Sequence, residues 1–366
     1  MKKEIPLKLS IIYTDLSLGG IQRKIVDLLN YIDKNQLDQV IQPEVILRWK
    51  TEFNLIPNLS TKKFKIYYPP RIFPFPRRRM SFLFNIIRRF IINPPDIILT
   101  HVFSSSMRAI PLARILFGKK VKIIISQDNI FSYENNRWYE KLFVSPIYSM
   151  ANKIIVQTET SKNDLVKNWK INKNKIEVIP NWSRKMGKNV KKIRNTDLVY
   201  CGRFEDQKNL LRLLGICKLL VQKNNDLKVK IIGSGRQELS LKKFVLNNQL
   251  DHNILFVSPT NQVEKHLVDS KIFVLTSRFE GQPMALLEAM SCCCVPIITD
   301  FPGAREYIKN KENGYIAKTD EIFVKYVESC LKNDNILEKL SSKAKLSVLE
   351  NYSEKNIQKY VDLIVR

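Results

Sequence analysis

The sequence predicts an α/β protein built from two doubly wound, parallel-sheet domains. Short β-branched runs alternate with helix-like stretches, the rhythm of strand–helix–strand units in parallel sheets. The rhythm runs twice, on either side of a polar, basic segment at 183–195. At 366 residues the chain is also too long for one comfortable core and suits two domains of ordinary size.

In the first domain, 1–182, the spacing predicts strands at 8–14, 44–49, 63–68, 96–101, 120–126, 153–157 and 175–179. Helices are expected at 21–32, opened by the Gly19-Gly20 turn, and at 81–92, 107–117, 138–150 and 161–170. The linker 183–195 lacks apolar periodicity. In the second domain, 196–352, strands are expected at 197–200, 228–232, 254–257, 271–275 and 295–299, and helices at 209–222, 240–248 and 283–290. The last segment, 353–366, reads as an amphipathic helix that packs back on the first domain, with Ser353 as its N-cap. Two such lobes facing across a cleft would hold a ligand at the carboxyl ends of their strands.

Composition narrows the class. The hydrophobic fraction of 44% excludes disordered and collagen-like chains. No apolar run approaches the roughly 20 residues of a bilayer span. Residues 1–6 carry no apolar signal region, so the reading is cytoplasmic. The six cysteines show no Cys-x-x-Cys spacing, and with only three histidines no metal site is expected. The Cys292–Cys294 run reads as small buried thiols. The net charge of +26 is uneven: residues 1–182 hold 30 basic and 14 acidic groups, residues 196–366 hold 25 and 21. Such an excess suits an anionic membrane, a polyphosphate substrate, nucleic acid or plain solubility.

The chemistry concentrates in Ser277-Arg278-Phe279-Glu280-Gly281-Gln282-Pro283-Met284-Ala285-Leu286-Leu287-Glu288-Ala289-Met290. A strand ends just before it, Gly281 permits tight backbone, and Pro283 sits where a helix starts. Amides at a helix start favour a diphosphate or a sugar hydroxyl. Glu288 lies in an apolar stretch, where a carboxylate needs a hydrogen-bonding partner such as a ribose diol. The plainer alternative is a capping Glu280 and a surface Glu288. Two further segments precede it: Gly202-Arg203-Phe204-Glu205-Asp206-Gln207-Lys208-Asn209 after a strand, and Ile232-Gly233-Ser234-Gly235 at a strand end.

Together these segments resemble glycosyltransferase family 4, whose members have the GT-B architecture of two Rossmann-like domains and transfer a sugar with retention. Glu280 and Glu288 match the family's E-x7-E signature. The resemblance implies that Glu280 contacts the transferred sugar and Glu288 the nucleotide ribose, with Gly281, Gln282, Pro283 and Leu287 around the donor. Arg203 and Lys208 would clamp the diphosphate and stabilise the charge of the departing nucleotide. Gly233 and Val257 would border the nucleotide, and Gly19 and Gly20 match the family's glycine loop. The segments 95–101 and 179–181 match framework positions. Where many members carry a histidine after the strand 121–126, this chain has Gln127-Asp128-Asn129. Either Asp128 orients the sugar and stabilises its developing positive charge, or Gln127 does so as a neutral hydrogen-bonder.

The implied activity is that of a retaining, hexosyltransferase-type enzyme without cofactor or metal. It would move a sugar from a nucleotide sugar, a UDP-sugar by resemblance, to a saccharide or lipid-linked saccharide acceptor in cell-surface glycan synthesis. The stretch 67–84 combines Phe75, Arg77, Arg78 and Arg79 with prolines, and reads either as a contact with the anionic inner face of the membrane or as a solvated loop. Another GT-B enzyme, such as a nucleotide-sugar epimerase or an inverting transferase, is the alternative. A nucleic-acid-binding protein is supported by charge alone, without a recognition motif.

Overall fold

The computed structural model describes residues 5–51, 54–61, 63–69, 78–134, 140–184, 186–187 and 193–366, apart from the side chains of Arg78, Arg79, Glu134, Glu140 and Lys141. The chain divides into two compact units, Met1–Ile179 with Ile357–Arg366, and Pro180–Asn356.

The first unit holds seven parallel strands: β1 (Leu7–Tyr13), β2 (Ile41–Leu47), β3 (Lys65–Tyr67), β4 (Ile97–His101), β5 (Lys122–Ser126), β6 (Lys153–Val156) and β7 (Ile176–Val178), in the order β3-β2-β1-β4-β5-β6-β7. Its helices are α1 (Gly20–Lys34), α2 (Arg78–Ile92), α3 (Val102–Phe117), α4 (Phe131–Glu134), α5 (Glu140–Ser149) and α6 (Glu159–Trp169). Runs such as Ile123-Ile124-Ile125 are wholly buried because helices cover both faces of a parallel sheet. The strand order reverses between β1 and β4, where such sheets leave a crevice at their carboxyl ends.

The second unit repeats the design with six parallel strands: β8 (Thr196–Cys201), β9 (Val229–Ile232), β10 (Ile254–Val257), β11 (Ser270–Leu275), β12 (Val295–Thr299) and β13 (Tyr315–Ala317). Their order is β10-β9-β8-β11-β12-β13, reversing between β8 and β11. The helices are α7 (Leu210–Val221), α8 (Glu238–Asn247), α9 (Val263–Leu267), α10 (Met284–Ser291), α11 (Asp320–Lys332), α12 (Asp334–Asn351) and α13 (Glu354–Val365), the last of which ends in the first unit. There the Lys122 ammonium donates to the carbonyls of Leu363 at 2.8 Å and Ile364 at 3.1 Å, satisfying the open end of α13.

Two local expectations change. The first unit ends at Ile179, and both ends of the segment read as a linker are bonded inside the second unit. Ser183 Oγ pairs with Ser291 Oγ at 2.7 Å, and the Arg194 guanidinium donates to Cys293 O at 2.7 Å. In the basic aromatic stretch, α2 begins at Arg78, Phe82 is core, and Arg89 is turned inward to Glu44 at 2.7 Å with its guanidinium 3.7 Å from the Tyr67 ring centroid. Phe75 and Arg77 lie outside the described residues, as do the side chains of Arg78 and Arg79. All six cysteines are free, and burial pushes the Cys292 thiol up to about 12, so it is an inert core group.

Candidate active site

In the second unit the loops at the switch point are the segments the sequence singled out, and they are laced together. Gln207 Nε2 donates to Phe279 O at 2.9 Å, Arg278 N to Gln207 O at 2.8 Å, and Thr276 Oγ1 to Asn209 O at 3.1 Å. This lacing holds the Glu280 carboxylate. Its Oε1 accepts from Lys208 Nζ at 2.5 Å and Ser277 Oγ at 2.6 Å, while Oε2 faces Gln207 Nε2 at 3.4 Å. Glu280 is buried, so the ammonium is what makes its charge tolerable. Oε2, with one long contact, keeps acceptor capacity for a ligand hydroxyl. Burial first, and then the Glu280 charge, push the Tyr200 and Tyr307 hydroxyls well up, so both stay neutral beside it.

Arg203 lies exposed on the loop after β8, while Lys208 is committed to Glu280. The two cations expected as one clamp are therefore held differently. Gly233, at φ +145°, is required by space: a Cβ there would stand 1.9 Å from Gly202 O. Its N–H donates to Val257 O at 2.9 Å, which brings the ends of β9 and β10 beside Gly202. Pro283 is the N-cap of α10 and Gly281 is buried. Glu288 is buried on α10 among Leu286, Leu287, Ala289 and Met290. Leu287 is a core residue. The Gln282 amide oxygen accepts from Asn181 N at 2.6 Å, and the Gln282 carbonyl from Asn181 Nδ2 at 2.9 Å, so this side chain braces the loop.

In the first unit, Gly19 caps α1 and its O accepts from Arg23 N at 3.0 Å, while Gly20 begins the helix. Asp15 ties this loop down, accepting from Ser17 N at 2.9 Å, Gln22 Nε2 at 3.1 Å and Trp49 Nε1 at 3.0 Å. Burial pulls its carboxyl up, but these donors outweigh it and hold it below the usual range.

Asp128 departs from expectation. Its carboxylate is already occupied: Oδ1 accepts from Lys24 Nζ at 2.8 Å and Ser126 Oγ at 3.1 Å, and Oδ2 meets His101 Nδ1 at 2.8 Å. Burial would raise this carboxyl, yet Lys24 and His101 together hold it far below the usual range. Asp128 is thus the centre of a buried ion cluster. Gln127, the other candidate, is buried too, its Oε1 accepting from Tyr148 Oη at 2.6 Å and its Nε2 donating to Asn129 O at 3.0 Å. The sequence reading missed Lys24 and gave His101 only a framework role. The sequence marked both strand ends; the structure shows that β4 and β5 are neighbours whose register pairs His101 with Ser126.

The arrangement is an anchored carboxylate with a lysine partner at one switch point and a histidine–aspartate–lysine cluster at the other. Comparison with known proteins gives the family. Residues 18–182 match the family Glycosyltransferase Family 4, and residues 181–347 match Glycosyl transferases group 1. The chain belongs to glycosyltransferase family 4. Its fold is GT-B. An uncharacterized glycosyltransferase of Haemophilus influenzae is 27% identical over 254 residues, 68% of this chain and 71% of that protein. The N-acetylgalactosamine-N,N'-diacetylbacillosaminyl-diphospho-undecaprenol 4-alpha-N-acetylgalactosaminyltransferase of Campylobacter jejuni is 24% identical over 258 residues, 67% of this chain and 70% of that enzyme. Among solved structures, a complex of Staphylococcus aureus TarM with fondaparinux, alpha-GlcNAc-glycerol and UDP superposes with a TM-score of 0.80 at 14% identity, covering 98% of this chain and 100% of that one. Anabaena HepE with UDP and glucose gives 0.81 at 14% identity, covering 98% of each chain. This glycosyltransferase is thus related to enzymes of cell-surface polysaccharide and lipid-linked sugar transfer.

Proposed function

We propose that this glycosyltransferase moves a hexose from a UDP-sugar to a lipid-linked saccharide or surface-polymer acceptor, with retention, at the face of an anionic membrane. The observation that carries the proposal is the Glu280 carboxylate, fixed by Lys208 and Ser277 with Oε2 kept in reserve at the β8/β11 switch point. Glu280 would receive a hydroxyl of the transferred sugar, Glu288 the ribose, and Arg203 the diphosphate, drawing Lys208 partly from Glu280. As the sugar–phosphate bond breaks, the acceptor oxygen bonds to the same face of the anomeric carbon and its proton passes to the departing phosphate oxygen. The protein contributes position and fixed charge. The relatives' names support the acceptor class: one acts on a diphospho-undecaprenol glycan, another on poly(ribitol-phosphate), a third on alpha-D-GlcNAc-diphosphoundecaprenol with UDP-Gal.

No described helix is long and apolar enough to cross a membrane. Support for a peripheral contact comes from the first unit's helices. Met80, Phe84, Ile91 and Ile92 on α2, Ile115 and Leu116 on α3, and Leu142 and Phe143 on α5 are exposed, and in sequence Arg77 directly precedes α2 while Arg78 and Arg79 open it. The test of function is a nucleotide-sugar panel with UDP release as readout: slow hydrolysis of one UDP-sugar, accelerated by a lipid-linked acceptor, is expected. Release confined to another nucleotide, or none with any donor, would overturn the UDP-sugar reading.

A further inference from the structure

The first unit holds a polar cluster that the mechanism above does not use. It sits at the switch point between β1 and β4, where sheets of this kind bind ligands. His101 ends β4 and is 1% exposed. Because Asp128 is a carboxylate, it can only accept, so His101 Nδ1 carries the proton and donates at 2.8 Å. In the neutral ring Nε2 is then the acceptor, and it has no hydrogen-bond partner among the described residues. Among the other buried atoms in this condition are Ser105 Oγ, in the first turn of α3, and Gln157 Oε1, just past β6. Gln157 Nε2 reaches Asp128 Oδ1 at 3.3 Å, so Asp128 orients two side chains that each keep an unfilled acceptor. A buried polar atom left so is costly unless something fills it.

The backbone supplies a second observation. Val102, directly after His101, has φ +59°. A β-branched residue in the left-handed region is strained, and such strain persists where a local arrangement is held for a purpose. Here it lets α3 start at once from the end of β4 and keeps the imidazole at the carboxyl edge. The Tyr13 ring, at the end of β1, meets the imidazole edge-on at 5.7 Å and fixes its plane.

We infer that His101 Nε2 accepts a hydrogen bond from a saccharide hydroxyl during glycosyl transfer, with Asp128 and Lys24 as positioning residues that set its tautomer and plane. The ligand must be a donor of hydrogen bonds, because the atoms waiting include two acceptors. A sugar hydroxyl meets this requirement and a phosphate oxygen does not. The hydroxyl belongs either to the donor's sugar or to the acceptor, and the inference rests on the sugar-transfer reading.

The chain has three histidines, so their ring nitrogens can be followed by NMR in the ¹⁵N-histidine-labelled full chain, with His101→Gln identifying the relevant signals. The probes are UDP, UDP-N-acetylglucosamine, UDP-galactose and a methyl glycoside of N-acetylglucosamine. The His101 Nε2 resonance is expected to move upfield with a sugar-bearing probe and stay put with UDP alone. A response to a nucleotide sugar assigns the hydroxyl to the donor, and a response to the glycoside assigns it to the acceptor. His101→Gln should lower turnover about 2- to 10-fold, the worth of one neutral hydrogen bond, with UDP affinity unchanged. An Nε2 signal that no sugar-bearing probe moves, or a His101→Gln protein with wild-type kinetics, overturns the inference. The NMR arm needs no turnover and uses the wild-type fold, so a failed UDP-sugar reading or an unstable variant is told apart from failure here.

Discussion

Lys24→Met tests the buried cluster of the first unit most sharply. The change keeps the side chain's length and removes an ammonium 2.8 Å from Asp128, where the two side chains are only 3% and 5% exposed. Breaking a buried pair costs about 3–5 kcal/mol, because the partner's charge stays behind without compensation. His101, Ser126 and Gln157 still touch that carboxylate, so the lower end is expected. A loss of about 3 kcal/mol in a unit of this size lowers its melting temperature by roughly 6–12 °C. Adding Asp128→Asn to Lys24→Met removes the stranded charge and should recover a large part of the loss. The acid side carries a second signature. The folded pKa of Asp128 lies below its unfolded value of about 3.9, so its contribution is complete above about pH 4 and drains away as pH falls further. Lys24→Met should flatten that slope. Scanning calorimetry of the three proteins from about pH 2 to about pH 7 reads both effects. A loss under about 1 kcal/mol for Lys24→Met, or a double variant no better than the single one, would refute the assignment of Asp128 to a buried ion cluster.

Other outcomes follow from the second unit and from the charged stretch. Glu280→Gln should cut turnover while UDP affinity holds, whereas Glu288→Gln should weaken UDP binding by about 1–3 kcal/mol, measured by titration calorimetry; equal, small effects on both would contradict their separate roles. Gly233→Ala forces a Cβ to 1.9 Å from Gly202 O at a positive φ, and should destabilise the second unit by about 2–4 kcal/mol from strain and overpacking combined; an unchanged melting temperature would contradict the tight approach. Replacing Arg77, Arg78 and Arg79 with Ser should release the protein from anionic vesicles in low-salt flotation, since each basic group near the surface contributes on the order of 1 kcal/mol. Wild-type protein that ignores such vesicles would leave the charge as a solvated surface.

The two-sheet fold was legible because parallel strands buried on both faces announce themselves as apolar runs, and twelve of the thirteen lie where such runs predict. The short β13 was not marked out, nor were α9, α11 and α12. Glu280 was legible because its loop and helix are contiguous. Its clasp on Lys208 was not, since it spans 72 residues and Lys208 alone suggested a phosphate ligand. The partners of Asp128 were hidden for the same reason. Its partners lie 104 and 27 residues away, and nothing local tells a buried ion cluster from a carboxylate facing substrate. Within the helix expected at 81–92, nothing local showed that Arg89 would turn to Glu44 or that Phe82 would enter the core.

The most direct test of the central claim follows the anomeric carbon. UDP-sugars labelled with ¹³C at C1 are supplied with a lipid-linked acceptor, and the product's C1 signal is read by NMR. The account predicts that the label passes to the acceptor in α linkage from an α-linked donor, and that Glu280→Gln nearly abolishes the transfer. A β-linked product, or label that reaches the acceptor as readily in Glu280→Gln as in wild type, would contradict it.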